Sequence, residues 1–441
     1  MNRFRFDLLN PSIQNLTDSI TSLLSIGLWG LATGCGWSQT TPTGYLSQGV
    51  ELVGYCNMQD RPAFKLSIKE HRGRWYLFTG HFWHSGWSVV DVTDPAKPFV
   101  AKFIDGPPNT WTLQMELSGN RMVTALEKIF PNFGGNNGPF QEGVYIWDIS
   151  DPLNPVRQGQ FKTGGTGTHR NWYAGGRYMH LAANMKGYLG NIYVIVDISN
   201  PHKPVEAGRW WVKGQHQARG EEPNEPHISL HGPPYIVGNT AYLPYGSAGL
   251  IILDISNVSK PRQVGRLDFS PPFHQQFGIH TVIPVPGKNL AYVNSEDVSY
   301  GRGPIHHASI VDISDLKNPK LLSVLPRPIP PKGVGYDDFN LRGGWSGPHN
   351  VNTLLHNPDV QPQDSLLYMT YFNAGLRIYN VKNPRLPVEV AWFLPPDPQK
   401  RYGPMPQGEL VVQTEDVLVD RRGYIYITDK NQGVYILRIK P

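Results

Sequence analysis

Residues 194–204 read VIVDISNPHKP and residues 251–261 read IILDISNVSKP. Both are the same phrase: an apolar run, Asp, an apolar residue, Ser, Asn, and a spacing that ends on Pro. The β-branched run has the composition of a strand. The segment after it has that of a turn, in which an Asx side chain accepts backbone amides and Pro fixes φ. The phrase returns at 88–98 (SVVDVTDPAKP), 145–155 (YIWDISDPLNP) and 309–319 (SIVDISDLKNP). Degraded copies stand at 377–387 (RIYNVKNPRLP) and 435–441 (YILRIKP), with Asn380 and Arg438 in the Asp position. From Asp91 through Asp148, Asp197, Asp254, Asp312 and Asn380 to Arg438 the steps are 57, 49, 57, 58, 68 and 58 residues. Seven units of this length predict an all-β, seven-bladed β-propeller.

A hairpin precedes each phrase, most clearly at 231–256 (HGPPYIVGNTAYLPYGSAGLIILDIS), where Gly238-Asn239 is the turn. A short strand follows each turn, as in VEAGRWW at 205–211, which makes four strands per unit. The seventh unit has three strands before Pro441. Residues 49–55 (GVELVGY), which resemble PVEVAWF at 387–393, are expected to supply the fourth. The ring would then close by pairing the N- and C-terminal strands, removing exposed sheet edges. The repeat resembles the LVIVD repeat family of β-propellers over about residues 49–441. That resemblance implies a fold and no particular activity.

Composition agrees with this reading. The 46 Gly and 40 Pro are spread between short apolar runs along the whole chain, which excludes a helical bundle, a collagen-like chain and a disordered one. Net charge is +5 from 40 basic and 35 acidic residues without a basic run, so nucleic acid is not an expected partner. Cys35 and Cys56 are the only cysteines, so any metal must be held by His and carboxylates.

Residues 1–45 read as an N-terminal extension to a propeller of residues 46–441. The apolar run 20–31 (ITSLLSIGLWGL) is too short to span a bilayer, so no integral membrane span is expected. It leads to LATGC, a lipoprotein-like site ending at Cys35, but Asp7 and Asp18 precede it and suit an exported leader poorly. The expectation is a retained packing segment on a cytoplasmic protein, with periplasmic or lipid-anchored export as the alternative. Nothing in the sequence fixes an oligomeric state.

Aligned on their hairpins, four consecutive units place a histidine at the head of the innermost strand: His169, His231, His280 and His349. Unit seven has Glu415 there with Asp416 beside it, unit two has a place near Thr112, and unit one a place near Lys65 or Leu66. Innermost strands surround the channel, so residues at one height form a ring on which four imidazoles can converge on a metal ion. The bland alternative is a copied turn-capping His. The pattern resembles the carotenoid cleavage oxygenases, with iron(II) on four His, and the selenium-binding methanethiol oxidases, with axial His. That resemblance implies His169, His231, His280 and His349 as ligands. An all-nitrogen set suits a divalent metal, Fe(II) first, with Cu, Zn or Mn also compatible.

The long insertions 127–142, 213–230, 296–307, 327–348 and 395–414 fall on the histidine face and are expected to build a pocket there. His227 is an alternative ligand to His231. Glu415 and Glu296 are candidates to ligate or to orient a ligand. His81 and His84 are candidate catalytic proton partners, against a reading as ordinary surface His, and Arg170 and Arg342 are candidate substrate contacts. Phe82, Trp83, Trp111, Trp172, Tyr336 and Trp345 are expected at an apolar mouth. His180, inside a second strand, is expected in the core or behind a ligand and not as a ligand itself, and His216, His274, His306 and His307 in solvated loops. Together these predict a metal-dependent oxidoreductase or oxygenase acting on a small aromatic or apolar substrate. A metal-dependent hydrolase or lyase at the same site and a non-enzymatic interaction scaffold are the alternatives.

Overall fold

All six residues of the strand Ile192–Asp197 are buried. Val194 and Val196 pack with Val144 and Ile146 on one side. Tyr193 and Ile195 pack with Ala241, Leu243, Ile251 and Leu253 on the other. A strand held between two neighbouring sheets buries both faces, which is why the phrase is continuously apolar and does not alternate. The computed structural model describes residues 41–223, 227–269, 278–298, 300, 307–352, 355–362 and 365–441. Among these the regular elements are strands and short 3₁₀ turns, and no helix is long and apolar enough to cross a membrane. The expectations placed on residues 1–40 lie outside the described residues.

Ala63–His71, Arg74–His81, Gly86–Asp91 and Phe99–Asp105 form one antiparallel four-stranded sheet. Tyr235–Val237, Thr240–Pro244, Leu250–Asp254 and Arg262–Leu267 form another, as do Ile279–Pro284, Leu290–Ser295, Ala308–Asp312 and Lys320–Val324. Met115–Ser118 opens a set of four that ends with Val156–Phe161, and Gly164–Trp172 opens one that ends with Val205–Trp210. A single pair, Gly167 with Glu127, joins these two sets into a larger sheet. Pro348–Val351, Leu366–Tyr371, Gly375–Asn380 and Val388–Leu394 are extended by Leu46–Gln48. Thr414–Val419, Tyr424–Asp429 and Val434–Ile439 take Val50–Cys56 as a fourth strand, with Val50 opposite Ile439 and Cys56 opposite Val434. The opening strands meet one another: Thr414–Val419 touches Pro348–Val351 on one side and Ala63–His71 on the other, and Ala63–His71 touches Met115–Ser118.

The turn residues behave as their chemistry requires. Asp197 Oδ1 accepts the Ser199 amide at 2.9 Å and Asn200 Oδ1 accepts the His202 amide at 3.1 Å. The same Asp contact recurs at Asp91, Asp254 and Asp312. Four of the capped turns dock on the outer strand of the preceding sheet at a glycine. A Cβ at Gly159 would lie 2.0 Å from Pro201 O, and one at Gly208 1.9 Å from Val258 O. Gly265 faces Leu316 O and Gly54 faces Pro95 O in the same way. Only glycine admits so close a backbone.

Candidate metal centre

The opening strands share a defect at one height. Their pairing skips His169 between Thr168 and Arg170, His280 between Ile279 and Thr281, and His349 with Asn350 between Pro348 and Val351. It also skips Glu415 with Asp416, and Phe64 with Lys65. A bulge leaves its residue unpaired and re-aims the side chain. His231 stands just before its strand, its amide on Pro244 O at 3.0 Å. The four rings form a row, with centroids 5.1 Å apart for His169 and His231, 4.9 Å for His231 and His280, and 4.7 Å for His280 and His349.

Hydrogen bonds fix which nitrogen of three rings carries the proton. His169 Nδ1 lies 2.8 Å from Glu127 Oε2 and donates to it. His349 Nδ1 donates to the Glu415 carbonyl at 2.8 Å. His280 Nδ1 lies 2.7 Å from Thr281 Oγ1, whose own proton goes to the His349 carbonyl, so here too Nδ1 donates. Each ring therefore offers an unprotonated Nε2, the arrangement that outer partners impose on metal-ligating imidazoles. Burial, reinforced by the Arg170 charge, holds His280 and His349 well below the ordinary imidazole range and keeps them neutral.

Charged groups close around these rings. Glu296 Oε2 is 3.2 Å from His231 Nε2 and its Oε1 is 3.6 Å from His349 Nε2. Donor atoms of His231, His280 and Glu296 all lie within 4.8 Å of one another. Arg170 Nη2 donates to His280 Nε2 at 2.9 Å. Lys430 Nζ is ion-paired with Glu415 Oε1, while Glu415 Oε2 is 3.3 Å from His349 Nδ1. Burial pushes both Glu296 and Glu415 up to about 7, against the opposing pull of Arg170 and Lys430. Beside this layer Asp416 accepts the Leu66 amide at 2.8 Å and pairs with Lys65 at 3.4 Å.

A cavity of about 440 Å³ opens on this layer. Phe64, Phe82, Trp111, Phe133, Trp345 and Phe372 form its aromatic walls, and His169, Arg170, His231, Glu296, His349, Glu415 and Lys430 its polar ones. The insertions contribute as expected: Phe130, Asn132 and Phe133 from 127–142, Val298 from 296–307, Trp345 from 327–348 and Met405 from 395–414. Among the described residues, 213–230 contributes none.

Several residues singled out in the sequence stand elsewhere. His81 is buried with Nδ1 on Pro62 O at 3.1 Å and Nε2 on Ser88 Oγ at 2.8 Å, and burial lowers it to about 4. His84 packs against Tyr402 at 5.9 Å, and neither histidine lines the cavity. His227 is exposed, leaving His231 as the residue at the centre. Arg342 is turned away, bound to Asn373 O at 2.7 Å and Asp397 Oδ1 at 2.6 Å over the Tyr336 ring. Trp172 is core, 4.2 Å from Tyr235, and Trp83 packs behind Phe82. Thr112 ties down Gly86, and Gln114 takes the place on the cavity wall expected near Thr112. His180 is in the core as expected, on Tyr193 OH at 2.8 Å. His307 is buried against Phe269 instead of solvated, and His216 is half-buried between Tyr188 and Trp211. His274 and His306 lie outside the described residues.

Lys430 and Phe372 were missed, although a signal for them exists. Phe82, Glu296, Phe372 and Lys430 each follow directly on the second strand of their sheet, and all four line the cavity. They are a second row in register, one that carries different residue types and so escapes a search for repeated histidines.

The LVIVD repeat matches residues 187–211 and 235–268. No curated protein matches the chain. Among solved structures, the periplasmic gluconolactonase PpgL of Pseudomonas aeruginosa aligns with a TM-score of 0.53 at 10% identity, covering 86% of this chain and 100% of its own. The Cps50 (Swd1) β-propeller domain of Myceliophteria thermophila aligns with a TM-score of 0.52 at 12% identity, covering 89% and 100%. At such identities the likeness is one of fold. These matches give no support to the resemblance to carotenoid cleavage oxygenases or selenium-binding methanethiol oxidases. With its recurring phrase, its matched repeats and its propeller neighbours, the chain is an LVIVD-repeat β-propeller.

Proposed function

We propose that residues 46–441 form a seven-bladed ring closed by Val50–Cys56 on Val434–Ile439, and that its axial histidines are the metal centre of an enzyme acting on a small aromatic or apolar substrate. The observation that carries the proposal is the locking of Nδ1 in His169, His280 and His349 by protein acceptors, which leaves each Nε2 unprotonated, with His169 and His349 on the cavity wall and the His280 nitrogen behind it on Arg170. These residues fit a divalent cation. His231, His280 and Glu296 offer donor atoms within 4.8 Å of one another, and His169 and His349 flank them. A mixed imidazole and carboxylate set suits Fe(II) first, and Cu, Zn or Mn as well.

A redox-active ion there would supply electron-transfer or oxygen chemistry, whereas zinc would supply a Lewis acid and an activated water. The chain's own residues do the rest. The aromatic walls exclude water and orient a flat substrate, and Glu127, Thr281 and the Glu415 carbonyl hold the imidazoles in one tautomer. The apolar cavity and the donor set favour an oxidoreductase. The Lys430–Glu415 pair at the wall favours the second reading, a hydrolase or lyase, because it can hold or move a proton beside the substrate. A scaffold alone gives no reason to bury an Arg, a Lys and two Glu together, since desolvating charges is costly.

The test is metal analysis of the purified protein and of a His280→Ala/His349→Ala variant. Stoichiometric metal that the variant loses is the expected result. No metal in the parent, or full retention in the double variant, overturns the proposal. Iron or copper assigns the first reaction class and zinc the second.

A further inference from the structure

Among the described residues the cavity's unmet hydrogen-bonding capacity is mostly on the donor side. Arg170 Nε, Trp111 Nε1, Trp345 Nε1 and Gln114 Nε2 belong to lining residues, are buried, and have no hydrogen-bond partner among the described residues. The unpartnered acceptors among lining residues are the Glu415 oxygens, of which Oε1 is ion-paired with Lys430 and Oε2 lies 3.3 Å from His349 Nδ1. Lys430 is itself fully buried, its Nζ 3.8 Å from the centroid of Phe82 and 4.6 Å from that of Trp345. Its backbone is fixed on both sides, the amide on Gln413 O at 3.0 Å and the carbonyl taking Trp83 Nε1 at 3.0 Å. The ammonium is thus held at the cavity wall between aromatic faces, paired with Glu415 Oε1 and beside the unpartnered donors.

We infer that the cavity binds a planar aromatic monoanion, its ring among Phe82, Trp111 and Trp345 and its carboxylate or equivalent oxyanion toward Lys430 and Arg170. The inference deepens the enzyme proposal and rests on it for the identity of the site as a substrate site. A volume of about 440 Å³ holds a molecule of one or two rings. Buried donors without acceptors discriminate strongly, because a ligand lacking the acceptor leaves them unpaired. Lys430, the ammonium at the cavity wall beside these donors, sets the preference for the anion over its neutral analogue.

The test compares benzoate with benzamide, by titration calorimetry on the purified protein, with the metal content of every sample measured. Benzoate is expected to bind at least about ten-fold more tightly than benzamide, the value of one hydrogen bond to a charged group. Lys430→Met should abolish the preference and Lys430→Arg should retain part of it. Equal binding of the two probes, absence of saturable binding of either, or an undiminished preference in Lys430→Met each overturns the inference. The parent protein alone decides the first two outcomes if Lys430→Met fails to fold. The His280→Ala/His349→Ala variant separates the two proposals. Metal in the parent with no benzoate preference leaves the metal centre standing alone, and benzoate preference in a protein that never held metal leaves the anion site standing alone.

Discussion

Arg170 donates from Nη2 to Nε2 of His280 at 2.9 Å, and that nitrogen is the one left unprotonated by the Thr281 contact. The guanidinium thus holds the lone pair that an ion at this centre would take, and the two cations compete for it. Even at an effective dielectric of about 20, removing a like charge a few ångströms from an ion is worth more than about 1.4 kcal/mol. Arg170→Leu is therefore expected to bind the metal about ten-fold more tightly or better, read by competition with a chelator. Weaker binding in the variant would show that Arg170 supports the centre instead of opposing the ion.

Glu127 lies behind the centre. Its carboxylate takes the His169 Nδ1 proton at 2.8 Å, and the residue is buried although it does not line the cavity. Losing such an outer partner commonly costs about 10–100-fold in metal affinity. Glu127→Gln, which keeps the shape and lets the ring adopt either tautomer, should weaken metal binding into that range while leaving the melting temperature nearly unchanged. Unaltered affinity would remove His169 from the ligand set.

The fold was legible because its signal is local and repeated. VIVDISNPHKP carries its strand in the β-branched run and its turn in Asp197 and Asn200, whose side chains cap the amides two residues on. His169, His231, His280 and His349 were legible because they are one residue type at one register position. What aims three of them was not, since the bulges at His169, His280 and His349 exist only in pairing with the next strand. His81 and Arg342 were misread for a related reason. Both sit on the correct face, but Ser88 and Asp397, which claim them, are supplied by the third strand of one sheet and by a long insertion. Lys430, Glu296, Phe372 and Phe82 share a register position but not a residue type, so no repeated residue marks them in the sequence.

The glycines Gly54, Gly159, Gly208 and Gly265 in four outer strands are contacts between sheets. Gly208 has no left-handed backbone to accommodate, so a substitution there acts through space alone, and a Cβ would meet Val258 O at 1.9 Å. Gly208→Ala forces the capped turn at Asn257 off the outer strand and should destabilise the protein by about 1–3 kcal/mol, the usual range for overpacking. Thermal unfolding of the variant measures this. A melting temperature equal to that of the parent would mean that the sheets slide apart at no cost and that the turn-to-glycine contact does not set their spacing.

Glu116 gives the propeller a pH dependence of its own. Burial pushes its carboxyl up to about 8, despite Lys65 nearby, with the Asp416 charge adding to the rise. The folded protein therefore keeps this proton up to about pH 8, whereas an unfolded chain releases it near 4.5. Between those values the native state binds more protons than the unfolded one, so this group's contribution to stability is complete below pH 4.5 and declines as pH rises to about 8. Glu116→Gln keeps the neutral shape at every pH and leaves Lys65 with Asp416. The variant should match the parent at pH 5 and exceed its stability at pH 8 by at least about 1 kcal/mol. Denaturant melts of both proteins at the two pH values test this. A gap that is constant with pH, or one that favours the parent at pH 8, would mean that Glu116 is ionised in the fold and that Lys65 outweighs its burial.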